Sequence, residues 1–129
     1  IEAITEEEKA YEDSKIGDAF TIAEFVMGVN ETTEADLPET VLAWDLVRAV
    51  NMARWAFICG YINEDEMWEA IRTTAGIAKE SFNSWEEYGN SFAVGRGIWR
   101  GETDDYETAD EVVGALLNKE DSPWKAIEW

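Results

Sequence analysis

The chain has 129 residues, 46% of them hydrophobic, including seven Trp, five Phe and four Tyr; this is the length of one domain with enough apolar surface for a core, and it argues against intrinsic disorder. Its 29 acidic and 10 basic residues leave a net charge of −19, a field that repels phosphate backbones and anionic lipid surfaces, so no nucleic acid and no membrane is expected as a partner, whereas a basic protein is. A single cysteine, Cys59, and no histidine exclude an intrachain disulfide and a Cys/His metal centre, fit a reducing, cytoplasmic setting, and leave no imidazole to activate a thiol.

In chain order, Thr5 with Glu8 matches the S/T-x-x-E capping box and opens a helical region within residues 5–29, where Ile16, Ala19, Phe20, Ala23, Val26 and Met27 form one stripe. Residues 30–39, NETTEADLPE, read as an acidic loop. A long helix is expected from about 40 to 59, with Gly60 as its C-cap. Only four strongly polar side chains interrupt it, and a helix apolar on nearly all sides belongs at the centre of a bundle; Cys59, among Phe57, Ile58 and Gly60, is expected to be buried and inert. Asn63, followed by three acids, starts a helix over 64–82 whose inner face holds Met67, Trp68, Ile71, Ala75, Ala78 and Phe82. Ser84 with Glu87 starts another over 85–99, and Thr108 with Glu111 a short one over 109–118, after the acidic run GETDDYETADE. The expected fold is therefore all-α: a single-domain bundle of about five helices around the apolar helix at 40–59.

The four polar residues of that helix, Asp45, Arg48, Asn51 and Arg54, fall three apart, so neighbours can touch, although the drift of about 180° across the set keeps Asp45 and Arg54 on opposite sides. A second row, Trp85, Tyr88, Phe92, Arg96 and Trp99, places a guanidinium among rings. There it would stack and seek a carboxylate, for which Asp45 is the candidate. Gly89, Gly95 and Gly97 in the same helix imply close approach of another element. The acidic loops carry oxygen ligands without the spacing of a calcium-binding loop, so no metal and no cofactor is expected.

Three segments, AWDLVRAVNMARWAFICGYI, SWEEYGNSFAVGRGIWR and SPWKAIEW, together resemble the bacterial family of domain of unknown function 1266. The shared pattern is W-D-x-x-R with a second Arg six residues on and then G-Y, S-W followed by G-R-x-x-W, and a closing S-P-W. Here these are Trp44, Asp45, Arg48, Arg54, Gly60 and Tyr61, then Ser84, Trp85, Gly95, Arg96 and Trp99, then Ser122, Pro123 and Trp124. The resemblance implies a bacterial, helical protein and carries no activity. It is weaker over 1–40, so the single domain of 1–129 divides into an acidic, less family-like part (1–40) and a family-like core (41–129). The chain starts at Ile1 without a methionine, which leaves room for a segment before it.

Two functions follow as expectations. The first is a protein-interaction module, immunity- or adaptor-like, whose acidic surface meets a basic partner. The alternative is an enzyme or small-anion-binding protein using an Asp/Arg cluster drawn from Asp45, Arg48, Asn51, Arg54, Trp85 and Arg96. Against both stands a purely structural network of ion pairs that fixes how the helices pack.

Overall fold

The computed structural model describes residues 5–129, and most helix starts follow their capping residues. Helix α1 (Glu6–Asn30) opens on Thr5, whose hydroxyl accepts from the Glu8 amide at 3.1 Å while the Glu8 carboxylate takes the Thr5 amide at 2.7 Å. Asn63 and Glu66 make the same reciprocal pair at the start of α3 (Glu64–Ser81), both at 2.9 Å. Ser84 caps α4 (Trp85–Arg100) through the Glu87 amide at 3.1 Å. Each pair satisfies amides that the first turn leaves without partners.

Helix α2 (Leu42–Ile58) is capped differently. Its N-cap, Val41, offers no side-chain acceptor. Thr40 takes the Leu42 amide at 3.1 Å, and Ser91, fully buried on α4, takes the Ala43 amide at 3.1 Å while donating to the Thr40 carbonyl at 2.7 Å. A hydroxyl from one helix thereby caps another and fixes their register. At the far end, Gly60 sits at φ +81°, and the Gly60 and Tyr61 amides return to the Phe57 and Ala56 carbonyls at 3.0 and 2.9 Å. Glycine ends α2 where the spacing predicts, in a Schellman arrangement.

Helix α5 (Thr103–Asn118) begins about six residues before the expected start, so Thr108 lies inside the helix and most of the acidic run taken for a loop is helical. Its buried side chains, Tyr106, Ala109 and Val113, lie three and four apart and pull the preceding turn into helix. The single turn α6 (Pro123–Ala126) follows, and a 3-10 turn at Glu34–Asp36 interrupts the acidic loop after α1. No strand occurs among the described residues.

The all-α bundle is as expected, but the centre belongs to α4: it packs against α1, α2 and α5, while α2 packs against α3 and α4. Small residues make this possible. A Cβ on Gly95 would stand 2.5 Å from Cβ of Trp44, one on Gly89 2.5 Å from Val113 Cγ1, and one on Gly97 2.9 Å from Tyr106 Cβ; the thin helix lets three neighbours approach at once. Helix α2, apolar on all sides, leaves Met52, Trp55 and Ile58 at 62%, 61% and 73% exposure. Cys59, expected to be buried, is exposed, because the end of α2 carries no helix over that side. The stripe predicted on α1 holds in part: Val26 is buried and Ala19, Ala23 and Met27 are half-buried, but Ile16 and Phe20 face solvent and Ile22, outside the stripe, is buried.

Two cores result. Ile22, Val26, Ala93, Val94, Tyr106, Ala109 and Val113 join α1, α4 and α5. Ala43, Leu46, Ala78 and Phe82 join α2 and α3. Phe92 packs against both. Each large buried side chain contributes on the order of 2 kcal/mol.

Candidate functional site

Helices α2 and α5 both pack on α4 and not closely on one another, which leaves a solvent-open cleft of about 690 Å³ between the three. Ser91 and Gly95, one turn apart on α4, lie behind it and position α2: the first holds the start of α2, and the second admits the Trp44 side chain against the α4 backbone. Trp44 then lies 5.5 Å from both Phe92 and Trp99, ring centroid to centroid. From α1, Lys15 donates to the Trp99 carbonyl at 3.0 Å and pairs with Asp18 at 3.1 Å, holding the end of α4, where a helix favours positive charge.

Two arginines share these two rings. The guanidinium carbon of Arg48 lies 5.7 Å from the Trp44 centroid and 5.4 Å from Trp99, and that of Arg96 lies 5.3 and 5.4 Å from the same rings. They differ in their partners. Arg96 pairs with Asp105 in the first turn of α5 at 3.1 Å, and Arg100 reaches the other oxygen of the same carboxylate at 3.5 Å. Arg48 forms no ion pair and no hydrogen bond among the described residues. A guanidinium stacked through its face keeps its N–H edge available, so Arg48 presents unused donors to the cleft. The Nε1 of Trp44 is buried without a hydrogen-bond partner among the described residues. Val47, Trp55 and Val112 supply apolar wall, and Asn51 and Thr108 supply neutral polar groups.

Of the candidate residues, the structure brings Arg48, Asn51 and Arg96 to one cleft and leaves the other three outside it. Asp45 is exposed on α2 and forms no ion pair among the described residues, so the expected Asp45–Arg96 pair is replaced by Asp105–Arg96. Arg54 is exposed and likewise unpaired among the described residues, having rotated about 180° from Asp45 as the helix requires. No hydrogen bond or ion pair links the four polar residues of α2 to one another.

Trp85 belongs to a separate assembly at the other end of α4, eleven residues or about 16 Å of helix from Arg96. Its ring stacks on Trp124 at 4.8 Å and meets Trp129 edge-on at 5.0 Å, and its Nε1 donates to the Ile127 carbonyl at 2.8 Å. Trp129 Nε1 donates to the Phe82 carbonyl at 2.9 Å. These rings clip the C-terminal tail to the bundle.

Sequence spacing puts Trp99 in one row with Arg96, but it misses Asp105, Arg100 and Trp44 as the second ring under both arginines. Asp105 was hidden in a run read as loop, although Tyr106, Ala109 and Val113 just after it are helically spaced. Among the described residues no group of three acidic or cysteine side chains is placed to hold a metal, and no described helix is long and apolar enough to cross a membrane.

Fold and cleft together define an all-α single domain with an arginine–tryptophan cleft on its central helix. The chain belongs to the family described as protein of unknown function (DUF1266), whose match runs over residues 1–129 and so includes the first 40. No curated protein and no solved structure matches it.

Proposed function

We propose that the chain is a recognition module that binds, between α2, α4 and α5, an anionic group carried on an apolar body. The observation that carries this reading is Arg48, a guanidinium held over Trp44 and Trp99 with no carboxylate partner among the described residues, at the edge of an aromatic-walled cleft. Arginine in that state offers a fork of donors matched to a carboxylate or phosphate. Binding is favoured over catalysis because Asp105 is committed to two arginines, Asp45 lies outside the cleft, and the chain has no histidine. A ligand at ten times its Kd stabilises the fold by about 1.4 kcal/mol. A thermal-shift comparison of charged and neutral aromatic compounds therefore tests the reading: anions should raise the melting temperature of the parent and not of Arg48→Gln. Equal shifts from neutral compounds would sink it.

A second reading has its own support. The first turns of α1 are exposed throughout and acidic, and the same helix leaves Tyr11, Ile16 and Phe20 in solvent. With a net charge of −19, this face suits a basic protein partner bound through charge and a few aromatic anchors. A basic protein that co-purifies with the chain should associate more slowly as salt rises and lose affinity in Phe20→Ser. The lone cysteine and the family resemblance support a bacterial, cytoplasmic setting for either role.

A further inference from the structure

The charge around the cleft narrows the ligand further, and this step rests on the anion-binding reading above. The charged residues that line the cleft, Arg48 and Arg96 against Asp104 and Asp105, sum to zero; Asp105 is taken by Arg96 and by Arg100 just outside, so Arg48 is the one lining cation with no ion-pair partner among the described residues. The rest of the chain brings the total to −19. One negative charge on a ligand is matched by Arg48; a second has no cation to meet it and enters the field of an acidic protein. The walls, by contrast, favour a flat apolar body, since Trp44, Trp55, Phe92 and Trp99 present ring surface. Trp44 lines the cleft with ring surface while its Nε1 is buried, which places an indole N–H beside the site as a reporter of binding.

We propose that the cleft is selective for monoanionic aromatic or branched apolar carboxylates, and discriminates against phosphate monoesters of the same shape. Two probes of one shape and different charge isolate the claim: phenylacetate, a monoanion, and phenyl phosphate, close to a dianion above pH 7. Phenylacetamide serves as the neutral control. Binding is read from the Trp44 indole N–H signal in ¹⁵N–¹H spectra, assigned with Trp44→Phe. At about 20 mM salt phenylacetate should bind at least about fivefold more tightly than phenyl phosphate, and the ratio should shrink toward one at about 500 mM as the protein's field is screened. Arg48→Gln, checked for an unchanged melting temperature, should lose about tenfold in phenylacetate affinity and bind it no better than phenylacetamide. Phenyl phosphate binding as tightly as phenylacetate at low salt overturns the selectivity and leaves the anion cleft standing. Phenylacetamide binding as tightly as phenylacetate, or no probe moving the Trp44 signal, overturns the anion cleft itself.

Discussion

A methyl group at Gly95 would stand 2.5 Å from Trp44 Cβ, and neither backbone can yield without moving α2 off α4. Gly95→Ala is therefore expected to lose about 1–3 kcal/mol in chemical denaturation, the range of core overpacking, against the small gain alanine brings to an open helix position. A variant as stable as the parent would show that the helices do not approach this closely. Asp110 makes a prediction of the opposite sign. Burial, and then the neighbouring Glu111, raise its carboxyl above the ordinary 3.8, so the folded state holds the proton more tightly than the unfolded one. Its contribution is fully present below the unfolded value and is lost as pH rises through the raised one. Asp110→Asn should raise the melting temperature at pH 7 and leave it unchanged near pH 3.5, measured by circular dichroism across that range. Glu8 and Asp36 run the other way, since backbone amides of Thr5 and Thr33 hold them below their ordinary values, and their contribution is lost on acidification. The close approach at the glycines and the stacking of Arg96 were legible in sequence, because helical spacing puts Arg96 in a row of rings and glycine is costly in an open helix; the stacking of Arg48 was not, since its rings come from two helices. The partner of Arg96 was not: Asp45 is 51 residues away and Asp105 nine, but only the approach of α5 to α4 decides between them.

Among the elements, α2 shows where pattern stops being informative. Its sequence is apolar around nearly the whole circumference, which by amphipathicity alone assigns it the centre. The central place requires small residues more than apolar ones, and α4 supplies them in Gly89, Ser91, Ala93, Gly95 and Gly97, all buried. Caps, lengths and the short turns between helices were readable because each depends on residues within one turn of chain. The face a helix buries depends on what packs against it, which is why Ile16 and Phe20 of the predicted α1 stripe, and Cys59, are exposed. Ser91 ties these levels together, because its hydroxyl caps α2 from α4 and so sets Trp44 and Arg48 beside Arg96. Ser91→Ala leaves a buried amide and a carbonyl without their partners and is expected to cost about 1–3 kcal/mol. It should also weaken phenylacetate binding although Ser91 does not line the cleft; urea denaturation and the Trp44 indole signal read the two effects separately. Stability lost with binding intact would mean that the cap does not position the site.

For the whole molecule the governing quantity is the distribution of charge. Residues 1–40 hold 12 acids against two bases and residues 101–129 nine against two, while residues 41–100 hold eight against six. Three of the five arginines, Arg48, Arg96 and Arg100, gather around Trp99. Folding brings the acidic ends together, since α1 and α5 both pack on α4. Compact like charge opposes the folded state through self-repulsion, and salt relieves it. The paired charges pull the other way, but only three ion pairs occur among the described residues and all are partly exposed, worth about 1 kcal/mol or less each. Repulsion among some 19 uncompensated charges outweighs them. Raising sodium chloride from about 20 to about 300 mM shrinks the screening length from about 20 Å to below 10 Å. The melting temperature should then rise by several degrees, at about 4 °C for each kcal/mol in a chain of this size. A melting temperature that falls with salt would mean that the few ion pairs, and not the excess acid, set the electrostatic balance, and the selectivity argued for the cleft would lose its physical basis with it.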